Sequence, residues 1–254
     1  MLPKTRPSEI FNLAEQSSVS FSSEQLAETL ESISTGTLYS LEGIRFLDRS
    51  IRLYSIGTSK CFGNTGQKPA DENTPFRPRS PHAVAKSCAV NLVANYREAY
   101  KLFACTNHLF DHESPLRPQR FVTLKIVAAA YRIKVGLEPH VTFSNLDIAR
   151  DWGWAPDYVS SMWLLLQRES QLDVLLLKSV LYLCSILLGE LLPTMILTGK
   201  SIFFSISHSL GYQTSPTVRL TSLWQRLNWV GLQVTQLTIV LCNMCKAESE
   251  QSGQ

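Results

Sequence analysis

RPRSPHAVAKSCAV, residues 77–90, decides the fold, because it marks the start of a long helix between two strands. Ser80 is a helix-capping residue, and Pro81 suits the first helical position, where its missing N–H costs no hydrogen bond. The helix is predicted to run to about residue 100. Its buried stripe is predicted to consist of Ala85, Cys88, Ala89, Leu92, Val93 and Tyr96.

Strands are predicted on both sides of this helix. Residues 51–56 alternate as a strand does, residues 102–110 form a second strand, and residues 8–13 are typical of a short buried strand. A strand–helix–strand order implies a parallel sheet with right-handed crossovers, and therefore an α/β fold. Helical spacing predicts further helices at residues 24–47, 121–136 and 156–167.

Ligands of a parallel sheet bind beyond the carboxyl ends of its strands. The segments that follow the predicted strands are therefore the places to inspect for function. They are Ala14–Ser18, Gly57–Gly63 and Asp111–Arg117.

Composition excludes several classes of protein. Hydrophobic residues make up 44% of the 254 and charged residues 18%, as in a globular protein. The 24 basic and 21 acidic residues give a net charge of +3 without a basic run, so no nucleic-acid partner is expected. Six cysteines in a chain of this length do not predict a disulfide framework, and Cys242 and Cys245 lack the second pair that a zinc site needs. With no signal-peptide pattern at the start, a reducing, cytoplasmic setting is expected.

The segment 172–206 is unusually apolar. Lys178 and Glu190 would lie inside any membrane span of about 20 residues, where each charge is costly. A buried core helix is therefore predicted in preference to a membrane helix.

Several motifs occur in an order that resembles one family. They are TSKCFG (58–63), TPFRPRSPHAVAK (74–86), LFDHESPLR (109–117), FVTLKI (121–126) and RDWGWAPDYV (150–159). Together they resemble GDP-mannose 4,6-dehydratase, an extended short-chain dehydrogenase/reductase. The similarity is close from about residue 7 to residue 168 and fades afterwards.

This resemblance implies a Rossmann-like parallel sheet flanked by helices and missing its first strands. Residues 1–115 would form a partial NADP-binding domain. Residues 116–254 would form a smaller substrate-binding and C-terminal part, poorly matched after 168.

The resemblance also implies a reaction of nucleotide-sugar metabolism, on the route to GDP-fucose. NADP accepts hydride from C4 of the mannose ring of GDP-mannose, and the resulting ketone acidifies the C5 proton. A base removes that proton while water leaves from C6, and the hydride returns to C6. The family uses a threonine, a tyrosine with a nearby lysine, and a glutamate as the elimination base.

The family pattern can be placed on this sequence residue by residue. Thr58 matches the threonine and Lys86 the lysine, which also holds the cofactor ribose. Lys125 matches a lysine on the nucleotide-sugar side. The positions that match the cofactor side are Leu13, Ala14, Gln16, Ser17, His112 and Arg117.

Two matches fail where the chemistry is most demanding. Lys60 stands at the glutamate position, and an ammonium has three donors and no acceptor. His82 stands at the tyrosine position, and its ring ends about 2–3 Å short of a tyrosine oxygen, enough to disrupt catalysis. No G-x-G-x-x-G or G-x-x-G-x-x-G motif occurs among the twelve glycines, so an N-terminally truncated copy with an unpaired sheet edge is expected.

The residues leave two interpretations open. One is a dehydratase homologue with at most residual activity. The other is a non-catalytic protein, either a dimerisation partner of an active relative through the helices at 24–47 and 80–100 or a decayed gene product. A homo- or hetero-oligomer is expected.

Overall fold

The computed structural model describes residues 5–14, 19–65, 70–71, 73–118, 121–138, 140–143, 149–176, 181–183 and 203–206, with residues 244, 247 and 250. The described strands are β1 (Glu9–Asn12), β2 (Arg52–Thr58), β3 (Ala104–Leu109), β4 (Asp111–Glu113), β5 (His140–Phe143), β6 (Ala149–Trp154), β7 (Val174–Leu176), β8 (Leu181–Leu183) and β9 (Phe203–Ile206). The described helices are α1 (Val19–Glu24), α2 (Leu26–Leu30), α3 (Gly36–Leu47), α4 (Pro81–Tyr100), α5 (Val122–Val135) and α6 (Ala155–Leu166), with a π-helical turn (Glu31–Thr35) before α3 and a 3₁₀ turn (Ser59–Phe62) after β2.

The chain forms two compact units. The first contains the sheet β1-β2-β3-β7, in which every neighbouring pair is parallel, together with α1 to α4 and most of α6. The second contains α5, the sheet β4-β6-β8 and the pair β5-β9. The predicted α/β class, a parallel sheet flanked by helices, is confirmed.

Helix α4 begins as the sequence predicts. Ser80 has extended backbone angles, and its Oγ accepts the N–H of Ala83 at 3.2 Å, with Pro81 at the first helical position. The helix ends at Lys101, whose left-handed conformation lets its N–H reach the Arg97 carbonyl at 3.1 Å.

The buried face of α4 differs from the predicted stripe. Ala85, Ala89 and Val93 are buried as expected, whereas Cys88 is exposed and Leu92 and Tyr96 are only half-buried. The polar residues His82, Lys86 and Ser87 are buried in their place. The first half of the helix therefore buries polar side chains together with its alanines.

An apolar cluster fixes α4 against the first sheet. Leu53 of β2 and Ala104 of β3 pack with Val93 of α4 and with Leu41 and Ile44 of α3. Each leucine, isoleucine or valine side chain of the cluster stabilises the fold by about 1.5–3 kcal/mol when fully buried. This cluster holds the crossover β2–α4–β3 in place.

Two predictions about apolar segments are wrong. The strand at residues 8–13 was predicted to be buried, but β1 stands at the end of the described sheet and leaves Phe11 39% exposed. The segment 172–206 is predicted to be a core helix, but residues 174–176, 181–183 and 203–206 form strands that pair with β3, β6 and β5, respectively, and residues 177–180 and 184–202 lie outside the described residues. None of the described helices has both the length and the apolarity needed to cross a membrane.

Arg97 and Asp173 tie the end of α4 to β7 and β3. Both guanidinium Nη atoms donate to the Asp173 carboxylate, at 2.9 and 2.7 Å. The same carboxylate accepts the N–H of Thr106 at 2.8 Å, and Arg97 also donates to the Ala104 carbonyl at 3.1 Å. The bidentate geometry makes this a stronger link than an ordinary surface ion pair.

We expect Asp173→Asn to lower the free energy of unfolding by about 1–3 kcal/mol, because it leaves Arg97 without its charged acceptor. Glu28→Gln, which removes an exposed carboxylate of α2, is the matched control and should change stability by less than about 0.5 kcal/mol. Urea denaturation followed by circular dichroism measures both. Equal stabilities for the two variants would contradict the role assigned to Asp173.

Candidate functional site

Thr58 ends β2 and begins the short turn that follows. Its Oγ1 accepts the N–H of Lys60 at 3.4 Å, and Gly63 closes the turn with a φ of 64°. Because the hydroxyl oxygen accepts here, the Thr58 O–H remains able to donate to a ligand. The structure thus places a half-buried hydroxyl at the carboxyl end of a parallel strand, where ligands bind.

Lys86 reaches the same strand from α4. It is 2% exposed, and its Nζ donates to the Ile56 carbonyl at 2.7 Å, two residues before Thr58. A buried ammonium requires acceptors, and the carbonyl of β2 supplies one. Thr58 and Lys86, both predicted site residues, are therefore brought to one end of β2.

The two residues that depart from the family pattern lie in the same unit. Lys60 belongs to the turn directly after Thr58 and is half-buried. His82 lies in the first turn of α4, one helical turn before Lys86, and is 4% exposed.

His108 is a polar residue of this region that the sequence analysis did not identify. Its ring lies with its centroid 5.4 Å from those of both Phe62 and Phe76. Burial is the main cause that lowers the pKa of His108 to about 4; the charge of Lys86 acts in the same direction, and Asp173 acts to raise that pKa. The imidazole is therefore neutral near pH 7. The sequence feature that indicates a functional role for His108 is a run of three polar residues, Thr106 to His108, inside a predicted strand.

His108 also limits the space beside Gly57. A Cβ at Gly57 would lie 2.8 Å from His108 Nδ1, 3.0 Å from Thr106 Cγ2 and 3.1 Å from the Asn107 carbonyl oxygen. These contacts are shorter than normal van der Waals separations. Only glycine lets β2 and β3 approach in this way just before Thr58.

The predicted cofactor residues that follow β1 are described in part. Leu13 and Ala14 are exposed directly after the strand, at the same sheet edge as Thr58, since β1 and β2 are parallel and Asn12 pairs with Ser55. Gln16 and Ser17 lie outside the described residues, as do Cys242 and Cys245. Within the described part of the chain, no group of His, Cys, Asp and Glu residues could hold a metal ion.

The remaining predicted residues belong to the second unit. Arg117 donates through Nη1 to the His112 carbonyl, and its guanidinium lies over the Phe121 ring, 3.9 Å from the centroid. Lys125 is exposed on α5, where its N–H donates to the Phe121 carbonyl at 2.9 Å. His112, Arg117 and Lys125 therefore belong to one stretch, β4 to the first turns of α5.

A buried carboxylate also lies in this stretch. Glu113 is 1% exposed; it accepts a hydrogen bond from Thr123 Oγ1, and its Oε1 lies 3.4 Å from Arg117 Nη1. Burial raises the pKa of Glu113 to about 7, although Arg117 and Thr123 act to lower it. Glu113 belongs to the motif LFDHESPLR, in which the sequence alone gives this carboxylate no role.

The chain is similar to known proteins over most of its length. A family model described as GDP-mannose 4,6 dehydratase matches residues 1–185. GDP-mannose 4,6 dehydratase 2 of Arabidopsis thaliana is 48% identical over 172 residues, which cover 66% of this chain and 46% of that protein. GDP-mannose 4,6-dehydratase of Vibrio cholerae is 42% identical over 184 residues, which cover 72% of this chain and 50% of that protein. The chain thus spans about half the length of the curated relatives it matches.

Solved structures support the fold. RMD from Pseudomonas aeruginosa, solved with NADPH, superposes with a TM-score of 0.85 at 19% identity, covering 96% of this chain and 82% of that one. dTDP-glucose 4,6-dehydratase from Bacillus anthracis, solved with NAD, superposes with a TM-score of 0.80 at 15% identity, covering 99% of this chain and 76% of that one. At these identities the likeness establishes the Rossmann-like fold alone.

We expect Gly57→Ala to lower the free energy of unfolding by about 1–3 kcal/mol, because the new methyl group meets His108 and the β3 backbone. Gly36→Ala is the matched control, since a Cβ there meets only the Glu31 carbonyl oxygen, at 3.8 Å. In a helix that change should be neutral or stabilise by up to about 1 kcal/mol. Thermal unfolding compares the pair, and a Gly57→Ala protein as stable as wild type would contradict the packing described.

Proposed function

The chain belongs to the GDP-mannose 4,6-dehydratase family, and on that premise we propose that it is a dehydratase homologue with an impaired elimination step. Its sugar nucleotide is GDP-mannose and its cofactor is NADP. The observation that carries the proposal is the ammonium of Lys60, in the turn after Thr58, where the family has its elimination base. The predicted cytoplasmic setting stays a prediction.

Thr58 and Lys86, two of the family's site residues, are retained. Thr58 presents its hydroxyl at the end of β2, and Lys86 holds its ammonium beside the same strand. Hydride acceptance from C4 is the chemistry that bound NADP supplies. The cofactor side in this proposal consists of Leu13, Ala14, Gln16, Ser17, Lys86, His112 and Arg117, and Lys125 lies on the side of the sugar nucleotide.

One feature of these residues fits a phosphate-bearing cofactor. Nε of Arg117 is buried and has no hydrogen-bond partner among the described residues. A buried donor without an acceptor is costly, and a phosphate oxygen would satisfy it. The guanidinium is thus ready to bind an anion.

Lys60 impairs the step that removes the C5 proton. A charged ammonium has no lone pair, so it cannot take a proton until it has lost one of its own. A neutral lysine could act as a base, but the site would then have to stabilise an uncharged amine. The ammonium of Lys86, which binds the Ile56 carbonyl two residues before Thr58, favours anions there and does not supply a base.

His82 weakens the first step as well. An imidazole is a competent base, but it is shorter than the phenol that the family places at this helix position. His82 is also buried, in the first turn of α4. Proton transfer from the C4 hydroxyl is therefore expected to be slow.

We expect Lys60→Glu to bind NADP about three- to tenfold more tightly than wild type, because a cation near the positive nicotinamide ring is replaced by an anion. Arg49→Glu is the matched control, since it makes the same change in net charge at an exposed residue beyond α3. Isothermal titration calorimetry measures the three dissociation constants. Equal affinities for wild type and Lys60→Glu would remove Lys60 from the cofactor site.

A second candidate function is that of a dimerisation partner for an active relative. Three large apolar side chains of α3 are exposed, namely Tyr39, Phe46 and Leu47, and Val84 of α4 is also exposed. Phe46 is 72% exposed, with the Arg45 guanidinium 4.0 Å from its ring centroid. Apolar side chains that share neighbouring helices favour an interface with a second copy or with a full-length family member.

For this second function we expect the chain to co-elute with a full-length GDP-mannose 4,6-dehydratase in size-exclusion chromatography. Phe46→Glu should abolish co-elution, because it places a charge in the apolar contact. Leu116→Glu, at an exposed apolar residue of the second unit, should leave co-elution unchanged. If the wild-type chain elutes alone, or if Phe46→Glu still co-elutes, the interface is not on α3.

A further inference from the structure

We infer that Glu113 is a positioning residue: its carboxylate holds the Arg117 guanidinium and the first turn of α5 in place, and so sets how tightly this loop binds a phosphate-bearing ligand. The inference rests on the proposed function, in which Arg117 lies on the cofactor side. Neither the resemblance nor the comparisons assign a role to Glu113.

The geometry of the loop carries the inference. Glu113 ends β4, Arg117 lies four residues later in the turn, and Thr123 lies in the first turn of α5. One oxygen of the Glu113 carboxylate faces Arg117, and the other accepts the Thr123 hydroxyl proton. The same carboxylate therefore joins three consecutive parts of the chain.

Three neighbours contact the Arg117 guanidinium, and its Nε has no described partner. Glu113 lies 3.4 Å from Nη1, the His112 carbonyl accepts from that same Nη1, and the Phe121 ring lies under the guanidinium plane. Nε is the buried donor without a described partner. Held in this way, the guanidinium loses little further freedom when an anion binds, and preorganisation of this kind raises affinity.

The charge of Glu113 depends on its surroundings. Burial raises its pKa to about 7; Arg117 and the Thr123 hydroxyl act to lower that pKa, and Asp111 of the same strand raises it. His112, also titratable, precedes Glu113 on β4, and β6 places Trp154 opposite Glu113 in register. Because the folded-state pKa is raised, the carboxyl is protonated below about pH 7, and its charge interaction with Arg117 is then lost.

The test compares NADP binding by the full chain and its variants from about pH 5.5 to about pH 8.5, a range that spans the raised carboxyl pKa. Above pH 7 the wild type should bind about fivefold or more tightly than Glu113→Gln, and the two should converge as the pH falls. The ratio of the two dissociation constants at each pH is independent of the titration of the NADP phosphates, because both proteins bind the same ligand. Glu138→Gln, which removes the partner of Arg132 at the other end of α5, is the matched control and should follow the wild type.

Thr123→Val provides a second test of the inference if Glu113→Gln does not fold. It removes a hydrogen bond that lowers the pKa of Glu113, so the midpoint of the pH dependence should move to higher pH. An unchanged midpoint would overturn the inference. A purely structural role for Glu113 would change stability but would not move this midpoint.

A measurement on Arg117 itself separates this inference from the proposed function. The Nε–H NMR resonance of Arg117, assigned by its loss in Arg117→Lys, should be sharp in the wild type above pH 7 and broadened by solvent exchange in Glu113→Gln. If that change occurs while no protein binds NADP, the proposed function fails and the positioning role of Glu113 stands. If the resonance is the same in both proteins, the inference is wrong whatever the binding data show.

Discussion

The hydrogen bond from Lys86 Nζ to the Ile56 carbonyl is the interaction on which the site depends. It forms only because α4 crosses the sheet between β2 and β3, and that crossing is fixed by the apolar cluster around Leu53 and Val93. An ammonium that is 2% exposed needs such an acceptor to be tolerated. The packing of the first unit therefore determines where the cation is held, just before Thr58.

In the proposed function, charge accounts for a reaction that is impaired although the family's fold is kept. Lys86 of α4 binds the Ile56 carbonyl near the end of β2, and Lys60 lies in the turn that follows β2. Cations suit the binding of a sugar nucleotide and a dinucleotide, both of which carry phosphates. Removal of a carbon-bound proton needs a proton acceptor instead, and Lys60 places a hydrogen-bond donor at the position of the family's elimination base. His108, neutral near pH 7, adds no charge to this arrangement.

Patterns among neighbouring residues predicted the long helix α4 and the strand β2. Contacts between residues far apart in the sequence determine the short strands and the partners of the site residues. The cap at Ser80 and the alternation of residues 51–56 are encoded within a few neighbours, so α4 and β2 could be read from the sequence. Strand β4 has three residues and exists because it pairs with β6, a partner about 40 residues away, which no local pattern reveals. At the site, the resemblance identified Thr58 and Lys86; Lys86 Nζ binds the Ile56 carbonyl, two residues before Thr58 on β2. His108 and Glu113 were missed because their roles come from partners that only the folded chain brings close.

The measurement that tests the account most directly follows the hydrogen at C5 of the sugar. The full chain is incubated with GDP-mannose and NADP in deuterium oxide, beside an intact family member, and the sugar nucleotides are analysed by mass spectrometry and NMR. Because Lys60 cannot accept the C5 proton while charged, we expect the chain to form no 4-keto-6-deoxy sugar and to place no deuterium at C5. Formation of that product with deuterium at C5, at a rate near that of the intact enzyme, would contradict the account.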